Sequence, residues 1–329
     1  MKTILVPVDY SPDSKSALLY ALKLAQKAGL NVVIFHAFHP MVSPPAAYDI
    51  PSVIPALEKE KVLELEQYVK DSKRDQPEDI VINYTCVEGA GQSGGSPNHA
   101  IAIEKGPRER YASRVTYVAK MGTVYEQIMK AAEANKADII VMGMQGGGAL
   151  SQVLIGSTTV SVMRNSRVPV LGVPLGAKFY GFKSVVFAAD LGRQPNRFLL
   201  AKLQEFVKTF RSKLQVLHID KHHGLQPDDE RLQPALEQLD EQLNAIDFKV
   251  ILQQRVDAAT GIQAYLQEHK PDLLILNPQK HNVLQRLLDK SVTSKMIAYN
   301  HLPLLTLPVT EASNQPLVEE ELESTGDRG

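Results

Sequence analysis

The residues best suited to binding chemistry are glycines and small hydroxyl residues near the middle of the chain. A short apolar run, Ile139–Met142, predicts a strand that is buried on both faces. The glycines that follow it are Gly143, Gly146, Gly147 and Gly148. They let a ligand lie directly against backbone N–H groups, since glycine has no side chain in the way.

A predicted helix start follows these glycines. Gly156, Ser157 and Thr158 precede a helix that should reach Asn165, with Ser157 as its N-cap. The first N–H groups of a helix have no acceptor within the helix and carry the positive end of its dipole, so they favour an anion. A strand, a glycine loop and a helix start in this order predict a phosphate site.

The spacing of these residues, Gly143-x2-Gly146-x9-Gly156-Ser157, resembles the nucleotide-binding signature of the universal stress protein family. In that family the glycines and the hydroxyl residue hold the ribose and phosphates of ATP. The alternative is an ordinary strand-to-helix turn that needs glycine only for backbone geometry. The strand before and the helix start after favour the family. The resemblance implies ATP contacts at Met142, Gly143, Gly146, Gly147, Gly148, Gly156, Ser157 and Thr158.

A second group of candidate contacts follows the first two strands. Thr3–Val8 and Val32–Ala37 predict buried parallel strands, and open α/β sheets bind ligands at the carboxyl ends of such strands. The resemblance implies nucleotide contacts at Pro7, Val8, Asp9 and Ala37. Asp9 could also hold a Mg²⁺ ion bound with the phosphates. The residues alone leave another interpretation open, in which Asp9 is a turn or helix-capping carboxylate.

The beginning of the chain has a second copy later in the sequence. Lys2–Asp9 lines up with Lys183–Asp190, and Asp138, Ser157 and Pro169 line up with Asp272, Ser291 and Pro303. The offset falls from 181 to 134, so the first copy holds 47 extra residues. The two copies predict an α/β fold of two tandem, doubly wound, parallel five-stranded sheets. We expect domains at residues 1–176 and 182–310 and a disordered acidic tail at 311–329.

The nucleotide motif is intact only in the first copy. Asn277, Lys280 and Lys290 replace three motif glycines, while Ser291 keeps the hydroxyl group. Pro278 also removes a backbone donor from this loop. Side chains thus stand where a phosphate needs bare backbone, although a lysine could hold an anion by its charge. We expect one nucleotide per chain.

An insertion of small and polar residues, near 88–114, interrupts the first copy. Its segment Ser93–Ser96 is similar to the phosphate loop of ATP pyrophosphatases, but it does not follow the first strand and lacks the expected aspartate. A flexible linker is the favoured interpretation. The basic residues of the insertion could close over a phosphate, but solvation of a surface loop is favoured.

Three histidines lie near the end of a predicted strand in the second copy. They are His218, His222 and His223. No cysteine or paired acid at ligand spacing accompanies them, so exposed loop histidines are favoured over a metal site.

Both copies end in an apolar strand with proline near its start, Val168–Val173 and Leu302–Leu307. An apolar sheet edge invites pairing with another strand. Single-domain members of the family pair these strands across a dimer twofold, so the resemblance implies an internal pseudo-dimer with residues 176–181 as connector. We expect the seam to bury Val170, Leu171, Leu304 and Leu305. The sequence does not specify a face for a further homodimer.

Composition limits the binding partners and the cellular compartment that we expect. The 329 residues carry a formal net charge of −1, which gives no electrostatic reason to expect nucleic acid or an anionic membrane as a partner. Cys86 is the only cysteine, so an internal disulfide is excluded and a reducing, cytoplasmic location is expected. Apolar runs are too short to span a membrane, and we expect no signal peptide.

The function that these observations favour is an ATP-binding stress-response or regulatory protein. The alternatives are a scaffold with a vestigial nucleotide site and a slow ATP hydrolase. No Walker lysine, Ser-His-Asp arrangement or strong acidic metal pair supports efficient hydrolysis, so at most a weak ATPase activity is expected.

Overall fold

The computed structural model describes residues 1–39, 50–74, 83–87, 99–104, 114–144, 155–220, 230–277 and 302–308. In this part of the chain, twelve strands form one sheet and seven helices pack against it. The strands are β1 Thr3–Pro7, β2 Asn31–Phe38, β3 Asn83–Val87, β4 His99–Glu104, β5 Arg114–Met121, β6 Ile139–Gly143, β7 Val170–Val173, β8 Ser184–Ala188, β9 Lys213–Asp220, β10 Phe248–Gln254, β11 Leu273–Leu276 and β12 Leu304–Thr306. The helices are α1 Pro12–Ala28, α2 Ile50–Arg74, α3 Val124–Ala134, α4 Ser157–Asn165, α5 Arg197–Phe210, α6 Gln233–Leu243 and α7 Ala258–His269.

Five neighbouring strands are parallel in each half of the sheet. The order is β7-β6-β1-β2-β5 in the first half and β12-β11-β8-β9-β10 in the second. Helices cover both faces, which explains why β1 is a continuous apolar run. Ile4 and Val6 pack in one core with α1 and α2, while Leu5 packs in the other with α3 and α4. The α/β fold class is confirmed.

An antiparallel hairpin extends the first half beyond β5. β4 pairs with β5, and β3 pairs with β4. β4 lies in the insertion near 88–114, where the sequence analysis predicted no strand. Its sequence, HAIAIE, places two isoleucines at alternate positions, which suits a strand, and β5 offers an edge to pair with. Ser93–Ser96 lies outside the described residues.

The two halves meet where β7 and β12 pair antiparallel. The opposed residues are Val170 and Thr306, Leu171 and Leu305, and Gly172 and Leu304. The four residues expected to be buried in the seam are buried, so the predicted contact of the two final strands is confirmed. The structure differs in one respect: the two expected sheets are joined edge to edge into one. Pairing satisfies the backbone groups that each edge would otherwise leave open.

Two further predictions concern membrane-spanning helices and the acidic tail. Within the described ranges, no helix combines the length and the apolar composition needed to cross a membrane. The acidic segment 311–329 lies outside the described residues.

The substitution Leu304→Asp tests the seam. The carboxylate would replace a side chain that is only 6% exposed and that packs in a core shared by both halves. Because a buried unpaired charge is costly, we expect the free energy of unfolding to fall by more than about 3 kcal/mol. Both halves should unfold together at a lower urea concentration, as followed by circular dichroism.

Leu175→Asp is the matched control for this variant. Leu175 directly precedes the connector and is 50% exposed, so its replacement should change stability by no more than about 0.5 kcal/mol. An equal loss in both variants, or a first half whose stability Leu304→Asp leaves unchanged, would contradict the seam's role.

Candidate functional site

The candidate site lies at the carboxyl edge of the first half of the sheet, between β1 and β6. β1 pairs with β2 on one side and with β6 on the other. α1 follows β1 on one face of the sheet, whereas α4 follows β6 on the opposite face. The two connections diverge and leave a crevice at this point, which is where open α/β sheets bind ligands.

Two hydrogen bonds hold the start of α4 against the end of β6, and a third joins the end of β6 to β7. The Gly156 N–H donates to the Met144 carbonyl at 2.6 Å. Thr159 Oγ1 donates to the Gly143 carbonyl at 2.9 Å, and the Met144 N–H donates to the Val173 carbonyl at 3.0 Å. The chain that leaves β6 therefore returns to its end, which brings Gly143 and Gly156 together.

Gly143 also lets α1 pack closely against the end of β6. A Cβ atom there would lie 2.7 Å from the backbone carbonyl carbon of Asp13 and 2.9 Å from its oxygen. These backbone atoms belong to the first turn of α1 and cannot rotate aside as a flexible side chain can. Gly143 thus allows α1 to begin directly beside β6.

The start of α4 lacks a side-chain cap. Gly156 is the N-cap, with extended backbone angles of φ −60° and ψ 145°, so the prediction of Ser157 as N-cap is wrong. Ser157 is instead the first helical residue, because the Val160 N–H bonds the Gly156 carbonyl. α1, α5 and α7 have side-chain caps, supplied by Ser11, Asn196 and Asp257, whereas α3 and α6, like α4, have none. Within the described residues, no side chain caps α4, and its first N–H groups are suited to an anion.

Asp9 lies exposed just after β1 and stabilises the turn into α1. Its Oδ1 accepts hydrogen bonds from the Ser11 N–H at 3.1 Å and from the Ser11 hydroxyl at 2.5 Å. Ser11 Oγ in turn accepts the Ser14 N–H at 3.2 Å. The turn role that the sequence left open is therefore present, and the exposed carboxylate remains at the edge of the crevice.

The ends of β1 and β2 are tied together by a histidine that the sequence analysis did not single out. The Val8 N–H donates to the Phe35 carbonyl at 2.8 Å, and His36 Nδ1 donates to the Val8 carbonyl at 2.8 Å. Pro7 and Val8 are buried, and Ala37 is half-buried at the end of β2. These candidate contacts therefore lie on two neighbouring strand ends.

An aromatic group, Tyr10, His36 and Tyr68, flanks this part of the site. The Tyr10 ring centroid lies 4.5 Å from that of His36 and 4.9 Å from that of Tyr68. Tyr10 has a left-handed φ of 64°, which is uncommon for a bulky residue. Burial raises the pKa of Tyr10 to about 12 and lowers the pKa of His36. In the sequence, this aromatic group is visible only as a tyrosine directly after Asp9. That pattern does not predict a contact with α2.

The described part of the chain therefore holds most of the candidate contacts. Met142 and Gly143 are buried at the end of β6, Ser157 is exposed, and Thr158 is half-buried at the start of α4. Gly146, Gly147 and Gly148 lie outside the described residues.

The second half contains a turn like that of Asp9 and a histidine in a position like that of His36. Asp190 Oδ1 accepts the Gly192 N–H at 3.2 Å, and His218 Nδ1 lies 3.1 Å from the Leu191 nitrogen and 3.2 Å from the Ala189 oxygen. His218 is buried in β9. The expectation of an exposed loop histidine is wrong for His218, because its ring bonds the backbone that follows β8. His222 and His223 lie outside the described residues.

The motif positions of the second half are described only in part. Asn277 directly follows β11 and is half-buried. Pro278, Lys280, Lys290 and Ser291 lie outside the described residues.

Comparison with known proteins decides the family. The model of the universal stress protein family matches residues 1–174, more than half of the chain. The chain belongs to the universal stress protein family. The match ends one residue after β7, so it covers the whole first half of the sheet.

Individual universal stress proteins match different shares of the chain. One from Thermus aquaticus is 28% identical over 170 residues, which is 52% of this chain and 96% of that protein. One from Methanocaldococcus jannaschii is 40% identical over 60 residues, which is 18% of this chain and 37% of that protein. This chain therefore spans little more than a third of the length of that relative.

A solved structure is similar over nearly the whole chain. A universal stress protein from Archaeoglobus fulgidus DSM 4304 covers 94% of this chain, and the match takes in 97% of that protein. The TM-score is 0.56 at 17% sequence identity. At this identity the likeness concerns the fold.

We expect Gly143→Ala to lower the free energy of unfolding by about 1–3 kcal/mol, because the new Cβ would collide with the backbone of α1. Urea denaturation measures the change. Gly192→Ala is the control, since a Cβ there meets only the carboxylate of the exposed Asp190, at 3.2 Å. Equal stability of the two variants would show that the approach of α1 does not require Gly143.

The stability of this universal stress protein should depend on the protonation of His36. Since burial lowers the His36 pKa, the unfolded state binds the proton more tightly than the folded state. The contribution of neutral His36 to the free energy of unfolding is fully present above the ordinary histidine pKa of about 6.5. It is lost as pH falls from there through the folded-state pKa. His36→Gln keeps a donor for the Val8 carbonyl and does not titrate.

Unfolding free energies of the wild type and His36→Gln, measured from about pH 8 to about pH 5, check this dependence. The wild type should lose more stability than the variant below about pH 6.5. Parallel pH profiles would exclude His36 as the source of acid sensitivity.

Proposed function

We propose that the first half of the chain binds ATP and that binding controls a regulatory role in a stress response. The observation that carries this proposal is the start of α4, which has no side-chain cap and is held beside β6 by the Gly156–Met144 hydrogen bond. A phosphate at this point would accept hydrogen bonds from the first N–H groups of α4. It would also meet the positive end of the helix dipole.

The remaining contacts are assigned by position along the crevice. The phosphates and ribose would lie against the glycine loop and the α4 start, and the rest of the nucleotide would lie against the ends of β1 and β2. The proposed contacts are Pro7, Val8, Asp9, Ala37, Met142, Gly143, Gly146, Gly147, Gly148, Gly156, Ser157 and Thr158. Membership of the universal stress protein family supports this assignment, because the family's glycine motif is complete here.

Magnesium fits the site through Asp9. The carboxylate is exposed at the edge of the crevice, but its Oδ1 already accepts two hydrogen bonds from Ser11. A Mg²⁺ ion carried with the phosphates would be bound by the Asp9 carboxylate and would keep most of its water ligands. Asp9 would orient the bound ion while the helix start holds the phosphates.

The proposed role is binding and not turnover. We assign nucleotide binding to a domain at residues 1–176, and a structural role to a domain at residues 182–310, in the cytoplasm. The seam supports a role for the second half in the whole molecule, since β12 covers the edge of β7. Nucleotide occupancy would then act as a signal read by another molecule.

Mass spectrometry of small molecules released from the denatured pure protein tests the ligand. ATP should appear at close to one molecule per chain. ADP that accumulates over hours of incubation with ATP would favour slow hydrolysis. The absence of any nucleotide, together with no binding of added ATP, would favour a scaffold with a vestigial site.

Gly156→Val should weaken ATP binding by at least about a hundredfold, as measured by calorimetry. The branched side chain would stand where a phosphate meets the backbone of the α4 start. Gly192→Val, in the second half, is the matched control and should bind ATP like the wild type. Equal affinity of the wild type and Gly156→Val would place the site elsewhere.

Calorimetry should also show saturation at one ATP per chain. In the second half, Lys280 and Lys290 replace motif glycines, and Pro278 lacks an N–H group. Saturation at two ATP per chain would contradict the interpretation that this copy has lost its site.

A further inference from the structure

The second half of the sheet ends in a strand with an open edge. β10 is the terminal strand, and within the described residues it pairs only with β9. Its counterpart in the first half is β5, because each strand lies two places from the central strand of its half. β4 covers the outer edge of β5 by antiparallel pairing. The described chain thus closes this edge in one half and leaves it open in the other.

The hydrogen bonds of β10 show which backbone groups face outward. The Arg255 N–H donates to the Asp220 carbonyl at the end of β9 at 3.0 Å. Alternate residues of a strand direct their N–H and C=O groups to the same side. Residues 249, 251 and 253 therefore face β9. Val250 and Leu252 direct their backbone groups away from the sheet, whereas the Gln254 carbonyl already accepts a hydrogen bond from Arg255 Nη1 at 2.8 Å.

The side chains of β10 also suit a further strand. Val250, Ile251 and Leu252 are apolar and half-exposed. Val250 and Leu252 pack against one core and Ile251 against the other, so a strand added at this edge would cover all three. Lys249 is the only charged residue of β10, which leaves little charge to keep other strands away.

We propose that β10 pairs antiparallel with β10 of a second copy of this chain, about a twofold axis at Ile251. This register places residues 249–253 of the two strands opposite one another. Val250 lies opposite Leu252 of the partner subunit, so outward N–H groups meet outward carbonyls. Lys249 lies opposite Gln253 of the partner subunit, so no like charges are opposed.

A second copy is favoured as the occupant because the edge complements itself in this register. The chain already closes one pair of edges antiparallel, at β7 and β12. The same antiparallel edge pairing at β10 would make one continuous sheet from two copies of the chain. The inference does not depend on nucleotide binding and is tested without ATP.

Cysteine cross-linking tests the register. In a Cys86→Ser background, Ile251→Cys places two thiols opposite each other across the axis, in a non-hydrogen-bonded pair whose Cα atoms lie about 4.5 Å apart, within disulfide range. Lys249→Cys is the matched control, because its two thiols would lie four residues out of register, about 13 Å apart along the strand. Under mild oxidation, Ile251→Cys should form a covalent dimer and Lys249→Cys should not. Any other combination overturns the register.

Sedimentation velocity over a range of protein concentrations tests the dimer itself. Leu252→Pro removes an outward N–H group and leaves the N–H groups that face β9 in place, so it should raise the dimer dissociation constant by at least about tenfold. Leu252→Ala keeps the N–H group and should weaken the dimer less than Leu252→Pro does. Circular dichroism in urea verifies that both variants are folded.

Three results would overturn the proposal. One is a wild type that stays monomeric at all concentrations. Another is a dimer that Leu252→Pro leaves unchanged. The third is a monomer whose Val250 and Leu252 amides resist hydrogen exchange, which would assign the edge to another segment of the same chain.

Discussion

The antiparallel pairing of β7 with β12 is the contact on which the rest of the molecule depends. It turns two parallel half-sheets into one sheet, and Leu171 and Leu305 are fully buried there. Thr306 is also buried, and its hydroxyl finds an acceptor across the seam in the Val170 carbonyl at 3.4 Å. Each half therefore supplies partners that the other needs, because buried polar groups must be hydrogen-bonded.

The seam is also the support of the candidate nucleotide site. Gly172 lies opposite Leu304. A Cβ there would lie 2.5 Å from Met163 Cε and 3.1 Å from Met144 Cγ, so both methionine side chains would have to move. Met144 accepts the Gly156 N–H, so it belongs both to the seam and to the contact that holds α4. The position of the helix start thus depends on packing that extends to the second half.

Sequence patterns predicted the features that local chemistry determines. Buried strands were visible as short apolar runs, and the seam was visible because the family resemblance gave a partner to the strand around Leu304. Three features depended on long-range contacts and were missed or wrong. His218 is buried because it bonds the backbone after β8, β4 forms because β5 offers an edge, and Gly156 is the N-cap because the Met144 carbonyl holds its N–H. No local sequence pattern predicts partners that are distant in the sequence.

The first helices of the two copies differ in length by about one helical turn. α1 and α5 both end at a residue with left-handed backbone angles, Gly29 and Arg211, but α1 has 17 residues and α5 has 14. The turn missing from α5 corresponds to the turn of α1 whose backbone crowds Gly143. In the second copy, whose first helix begins later, Asn277 stands at the position that corresponds to Gly143. The Asp190 turn and the hydrogen bonds of His218 to the backbone after β8 are kept in this copy.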